Sequence, residues 1–313
     1  MIAASQLTKA YGSVRAVDGL TFEVRPGVVT GFLGPNGAGK STTLRMVMGL
    51  DRPTAGTVTI GGSPMHDLRW PLREVGALLD AKAVHPGRSA RAHLRAMAQT
   101  SAIPRARVDE VLGMVGLDGV AGRAVGKFSL GMSQRLGIAG ALLGDPGVLI
   151  FDEPINGLDP QGIVWVRNLL RSLAGEGRTV FFSSHLMSEM AQTATDLVVI
   201  GQGKLIADTT VDDFIASNTE ATVVVRGSDT ERLAAALGAA GLRAAPGDDG
   251  ALVVSGSDAT RVGDVAFAAG VAVHELRTQK ASLEDVFVEL TSDAADYHPP
   301  DSRLGGGTQG AGG

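Results

Sequence analysis

Apolar positions at the start of the chain come in short runs broken by polar residues and glycine, as in SQLTKAYG and GLTFEVRPGVVTGFLG. This pattern predicts two or three strands within the first thirty residues, and GVVTGFL reads as a short buried strand. After a glycine-rich bend, Leu44, Val47 and Met48 fall on one helical face, and GTVTI predicts a further strand. From Pro86 to about Gly140 the spacing is mostly helical, with SARAHLRAMAQTSA and RARVDEVLGMVGL as amphipathic segments. GVLIFDEP is an apolar run of strand length, IVWVRNLLRSLAGEG a helix ending in glycines, RTVFFSSH a strand, MSEMAQTA a helix and DLVVIGQGKLIAD a hairpin-like pair. Strand alternating with helix predicts an α/β fold with a largely parallel sheet.

A boundary is expected near Ser217–Glu220. Beyond it the pattern reads strand 221–226, helix 229–241, a short strand near 242–245, strand 251–255, helix 258–269 and strand 271–278. That β-α-β-β-α-β order is the split pattern of ferredoxin-like folds, and the segment SLEDVFVELTS is expected to close the small domain. The implied organisation is a domain over 1–217 with a helical subdomain at about 86–140, an accessory α+β domain over 218–292, and a polar, glycine-rich tail over 293–313 that reads as disordered.

Composition narrows the class. With 313 residues, 44% apolar and 19% charged, the chain can bury a substantial core. The net charge of −5 argues against a nucleic-acid binder, and Arg88, Arg91, Arg95, Arg105 and Arg107 read as a solvated helix face. The chain has no cysteine, which excludes disulfides and thiolate metal sites. No window approaches the length of a membrane span, and the N-terminus lacks a basic region followed by an apolar stretch. A cytoplasmic location is expected.

Chemistry is concentrated at two strand ends. GPNGAGKS, comprising Gly34, Pro35, Asn36, Gly37, Ala38, Gly39, Lys40 and Ser41, fits G-x-x-x-x-G-K-[ST] between an expected strand and an expected helix. Glycines allow successive backbone N–H groups to turn inward around an anion. The helix N-terminus adds free donors and partial positive charge. Lys40 then supplies a full charge for the β/γ-phosphates, and the Ser41 hydroxyl is a ligand for Mg²⁺. The second strand end, VLIFDEP, offers Asp152 to the Mg²⁺ shell and Glu153, one residue on, as general base for an attacking water.

The order and spacing of these motifs resemble the ATPase subunit of an ABC transporter across roughly residues 2–217. The resemblance implies a P-loop ABC ATPase core that takes ATP and Mg²⁺. It implies that Tyr11 stacks on adenine, that Thr42 continues the phosphate loop, and that FSLGMSQRLGIAGALL is the signature segment. There Ser129 and the backbone of Gly131 would open a helix facing the ATP of a second subunit in a head-to-tail homodimer. Phe128, Leu130 and Met132 depart from the usual LSGGQ, whereas Ser129, Gly131, Gln134 and Arg135 match. Asp159 in NGLDP is similar to the acidic residue of the family's dimer seam, and His185 in FFSSHL to its switch histidine. Where the family usually has glutamine at a strand end, EVGALLDAKAVHPG has Asp80, which either joins the Mg²⁺ shell or is merely a strand-end acid.

Asp80, HPGRSARAHL, the signature segment and SLEDVFVELT together resemble the ATPase subunits of daunorubicin- and bacitracin-resistance exporters. That likeness implies a separate multi-helix membrane subunit as partner, a peripheral place on the cytoplasmic face of the membrane, and a drug, antibiotic or lipid-like cargo. An importer ATPase with a ligand-sensing C-terminal domain and a soluble, non-transport ABC ATPase are the alternatives.

Overall fold

The strand Val29–Leu33 is buried at every position and lies in the middle of a six-stranded sheet. The computed structural model describes residues 1–218, 222–279, 283–284 and 286–287. Across that sheet the order is Val75–Leu78, Val148–Phe151, Thr179–Ser183, Val29–Leu33, Asp196–Gly201 and Lys204–Thr210. The first five run parallel and the last returns antiparallel as a hairpin. Strands covered on both faces read as continuous apolar runs, which is why VLIF and TVFFS showed no polar alternation.

The period of two is nevertheless present in where each side chain goes. Leu149 and Phe151, Val180 and Phe182, and Leu197 and Val199 enter one core. Ile150, Phe181, Val198 and Ile200 enter the other. The first core is roofed by the helices Leu130–Leu142, Pro160–Gly175 and Met187–Thr193. The second lies under the antiparallel sheet Val14–Val24, Ile2–Tyr11, Ala55–Ile60 and the helix Lys40–Val47. At its centre the rings of Phe22, Phe32 and Phe181 sit 5.0–6.0 Å apart. Such ring contacts add to area burial.

Chain order and space order differ, and that difference builds the site. After Leu33 the chain crosses to the far edge of the sheet at Val75–Leu78, then returns inward through Val148–Phe151 and Thr179–Ser183. In a parallel sheet all of these strands end on the same edge. The residues that follow them, Gly34–Ser41, Asp80, Asp152–Glu153 and Ser184–His185, therefore share one rim. Between the second and third of these strands stand the helices Ala90–Thr100, Arg105–Met114 and Leu130–Leu142. Leu94, Ala98, Val108, Val111 and Leu112 are their buried stripes.

The helix Val211–Asn218 falls where the sequence reading left a plain boundary. Its start carries a legible signal, since Thr210 accepts from the Asp213 N–H at 3.1 Å and donates to the Asp213 carboxylate at 2.8 Å. Its Phe214 is fully buried in the first core.

Beyond residue 221 the chain forms a separate antiparallel sheet in the order Arg243–Pro246, Leu252–Ser255, Thr222–Gly227, Val273–Gln279. The helices Thr230–Ala239 and Ala259–Ala268 bury Leu233, Leu237, Val262 and Ala266 against Val223, Val225, Leu252 and Val254. Elements and strand order are those of the split β-α-β pattern. One expectation is corrected. Leu283, Val286 and Phe287 of the SLEDVFVELTS segment do not close this small core but belong to the first core of the large sheet, together with Val211 and Phe214. Their spacing, i, i+3 and i+4, makes one apolar stripe, and the larger core takes it. The tail expected over 293–313 lies outside the described residues.

Candidate functional site

The glycine-rich bend is held by steric necessity. Gly39 has φ 101°, and a Cβ there would meet the Ala16 carbonyl oxygen at 2.5 Å. A Cβ on Gly34 would meet the Ile200 carbonyl oxygen at 2.6 Å. The helix Lys40–Val47 starts at once, with no side-chain cap and no acidic residue in its first turn, so the first-turn donors face the bend unopposed by a carboxylate.

Lys40 is buried and donates to the carbonyl oxygens of Gly34 at 2.6 Å and Pro35 at 3.2 Å. Burial holds its amine below the usual lysine range, partly offset by the Glu153 and Asp152 carboxylates. The adjoining Ser41 hydroxyl donates to Asp152 Oδ2 at 2.9 Å.

Asp152 and Glu153 follow the buried strand Val148–Phe151, and the Asp152 N–H still bonds the Leu78 carbonyl at 2.7 Å. Ser183, fully buried at the end of the next strand, clamps the pair. Its hydroxyl donates to Asp152 Oδ1 at 2.5 Å and accepts from the Glu153 N–H at 3.0 Å. Glu153 has φ 52°, a left-handed backbone that costs a non-glycine residue about 1–2 kcal/mol. Three bonds hold it there: the one to Ser183, one from the Gln134 amide to the Glu153 carbonyl at 2.6 Å, and one from the Asn156 N–H to that carbonyl at 3.2 Å. This backbone turns the Glu153 carboxylate towards His185, whose Nδ1 lies 2.7 Å from Oε2.

The other expected residues surround this centre at differing removes. Tyr11 is half exposed and donates to Asp51 at 3.1 Å. Lys9 stands 4.9 Å from its ring centroid, and Arg45 pairs with the same Asp51 at 2.8 Å. Ser129 caps the helix Leu130–Leu142 by accepting from the Met132 N–H at 3.2 Å. Gly131 abuts Gly157 and Leu158, where a Cβ would stand 3.3–3.4 Å from the Gly157 oxygen and the Leu158 side chain. Asp159 caps the helix Pro160–Gly175 by accepting from the Gly162 N–H at 2.8 Å. Asp80 shares the rim, but its carboxylate accepts from the Lys82 N–H at 2.7 Å. Among the described residues no hydrogen bond or ion pair joins Asp80, Ser129, Gly131 or Asp159 to Lys40, Ser41 or Asp152.

The sequence pattern assigns no role in the centre to two of its residues, Ser183 and Gln134. Ser183 lies within FFSSH, and a serine ending an apolar strand-length run is its only signal. Gln134 matches the family pattern, but its part in the centre is visible only in the fold, where it is buried among apolar residues of its helix and bonds the Glu153 carbonyl.

A phosphate loop, a histidine after the neighbouring strand and an acidic pair after the strand beyond it define a P-loop ATPase. The ABC transporter family matches residues 17–156. The bacitracin transport ATP-binding protein BcrA of Bacillus licheniformis is 45% identical over 221 residues, covering 70% of this chain and 72% of that protein. The Nod factor export ATP-binding protein I of Paraburkholderia xenovorans (strain LB400) is 39% identical over 226 residues, covering 70% and 74%. A dimeric bacterial ABC transporter cassette superposes with a TM-score of 0.63 at 25% identity, covering 67% of this chain and 99% of that one. The chain belongs to the ABC transporter ATP-binding protein family and is an ATP hydrolase. Residues 221–284 match a second family, described only as a domain of unknown function.

Proposed function

We propose that this chain is the ATP-hydrolysing subunit of a membrane exporter for a drug, antibiotic or lipid-like cargo, working as a head-to-tail homodimer against a separate multi-helix membrane protein. The carrying observation is the linked set Ser41–Asp152–Ser183–Glu153–His185, which ties the phosphate loop to a positioned carboxylate across three neighbouring strand ends. The relatives named for bacitracin transport and Nod factor export support the cargo class, and the dimeric cassette supports the assembly. No described helix is long and apolar enough to cross a membrane, so a peripheral place on the cytoplasmic face needs the partner's helices.

In this reading the backbone N–H groups of Asn36–Thr42 and the Lys40 amine hold the triphosphate, and Tyr11 stacks on the base. The donor set fits Mg²⁺, which keeps several waters and takes few protein oxygens; the Ser41 hydroxyl and Asp152 carboxylate, 2.9 Å apart, are the two that meet. When bound, the ion neutralises charge on the β- and γ-phosphates. Glu153 accepts a proton from the attacking water as its oxygen bonds to the γ-phosphorus and the bond to the ADP oxygen breaks. His185 orients the Glu153 carboxylate and stands towards the γ-phosphate.

Ser129, Gly131 and Asp159 act in trans. Within one chain Ser129 and Asp159 cap helices, Gly131 packs against Gly157 and Leu158, and none of the three is bonded to the phosphate loop among the described residues, so a second subunit is needed to bring them over ATP. Asp80 joins the Mg²⁺ shell.

The test is the Glu153→Gln variant with ATP, used to capture partners from detergent-solubilised native membranes for mass spectrometry. The expected result is an ATP-dependent dimer that recovers a multi-helix membrane protein without a solute-binding protein. Recovery of ribosomal proteins, or a variant that stays monomeric with ATP and Mg²⁺, overturns the reading.

A further inference from the structure

The small C-terminal sheet ends in an open edge. Strand Val273–Gln279 pairs only with Thr222–Gly227 among the described residues, and six of its seven positions are exposed. A free edge of this length is a template for another strand unless something blocks it. The one bulge, at His274, lies at the start of the strand, and the regular run Glu275–Gln279 holds no proline or lysine.

The edge is not uniformly polar. Leu276 lies opposite Val225, which is fully buried in the small core. A Cβ on Gly263 would stand 3.3 Å from Leu276 Cδ2, so Leu276 faces the helix layer, yet it is 37% exposed. One helical turn after Gly263, on the same stripe of the helix Ala259–Ala268, comes Phe267. At 87% exposure it is the most exposed large apolar side chain among the described residues. On the opposite face of the strand Glu275 pairs with Arg277 at 2.8 Å and with Arg226 at 3.4 Å.

We propose that this edge is a homodimer seam, in which Val273–Gln279 pairs antiparallel with the same strand of a second copy about a two-fold axis through Leu276. Opposed residues in an antiparallel pair point to the same face, so a symmetric pairing must centre on a residue. Centring on Glu275 opposes two carboxylates, and centring on Arg277 opposes two guanidinium groups. Centring on Leu276 sets Glu275 against the partner's Arg277 and Arg277 against the partner's Glu275. In this register Glu275, Leu276 and Arg277 form the regular ladder, and Thr278 comes opposite the partner's His274, where the bulge ends it. Each Glu275 carboxylate sits between Arg226 of its own chain and the partner's Arg277. The two Leu276 side chains meet on the helix side, where Phe267 loses its exposure. The result is a continuous eight-stranded sheet built from two four-stranded ones.

This seam needs no nucleotide, so it is tested apart from the ATP-driven dimer. Sedimentation of the full chain at tens of micromolar without nucleotide is expected to show a dimer. Glu275→Arg and Arg277→Glu each place like charges opposite one another twice, and each is expected to weaken the dimer roughly tenfold or more. Mixed in equal amounts, the two variants restore it, because both cross-strand pairs then join arginine to glutamate. A role confined to one chain gives no such rescue. The cysteine-free background allows a second readout. Leu276→Cys cross-links to itself on oxidation, because directly opposed residues stand about 5 Å apart at Cα. Val273→Cys, whose copies lie roughly 20 Å apart in this register, does not. A monomeric parent chain, charge variants that associate like the parent, a mixture that stays monomeric, or equal cross-linking at 273 and 276 overturns the proposal.

Discussion

The buried amide of Gln134 donates to the carbonyl oxygen of Glu153 at 2.6 Å, fastening the helix Leu130–Leu142 to the loop that follows Val148–Phe151. The bond supports the one site residue whose backbone is left-handed without being glycine. Gln134→Leu keeps the volume and removes the donor. The Glu153 carbonyl keeps the Asn156 N–H, so losing one of its two bonds is expected to cost about 0.5–1.5 kcal/mol, read as a lower Tm. ATP turnover is expected to fall at least tenfold while KM for ATP changes little, because Gln134 bonds no phosphate-loop atom. A KM that rises in step with the loss of kcat would show that the contact serves binding instead.

Ser183 serves both acidic residues at once, so Ser183→Ala should harm two functions together. Asp152 loses its 2.5 Å donor and the Glu153 N–H its acceptor. The expected outcome is a ten- to hundredfold fall in kcat, an order-of-magnitude figure for a displaced catalytic group, with a higher Mg²⁺ requirement. Steady-state rates across a Mg²⁺ titration measure both. Ser183→Thr, which keeps the hydroxyl, should recover part of the rate.

Lys40 gives a pH signature. Burial lowers its folded-state pKa below the ordinary lysine value, so the charged amine is disfavoured in the nucleotide-free fold. Charge on Lys40 therefore costs stability at pH below its folded pKa. That cost disappears as pH rises through the folded pKa towards the unfolded one. Triphosphate affinity has the opposite dependence: it is present below the folded pKa and is lost above it. ATP titrations across the alkaline range should show affinity falling at lower pH than an unperturbed lysine allows. Lys40→Arg, which stays charged, should flatten the profile, and Lys40→Ala should abolish hydrolysis.

Asp80 accepts from the Lys82 N–H through Oδ1 in this conformation. Asp80→Gln keeps a side-chain oxygen and removes a negative charge near the triphosphate. Activity should be retained with a shifted Mg²⁺ optimum. An unchanged Mg²⁺ titration would leave Asp80 as the acceptor of a local turn and nothing more.

The amino-acid sequence by itself determined the ingredients of the site. The phosphate loop was legible because only glycine tolerates the backbone approach at Gly34 and Gly39 and because a lysine follows at fixed spacing. The acidic pair was legible because it ends an apolar run, and the small domain because its strand and helix periods alternate cleanly. Tertiary structure decided what these residues do to one another. Strands adjacent in the sheet, Val148–Phe151 and Thr179–Ser183, are separated in the chain by a long helix, and only their parallel pairing brings Ser183 onto Asp152 and Glu153. The reach of Gln134 to the Glu153 carbonyl depends on how a helix packs over that sheet, which no local pattern encodes. The apolar stripe of Leu283, Val286 and Phe287 was equally visible in the sequence, but spacing specifies a buried face and not its host. The larger core took it beside Val211 and Phe214, because burial is non-directional and the stripe names no host of its own.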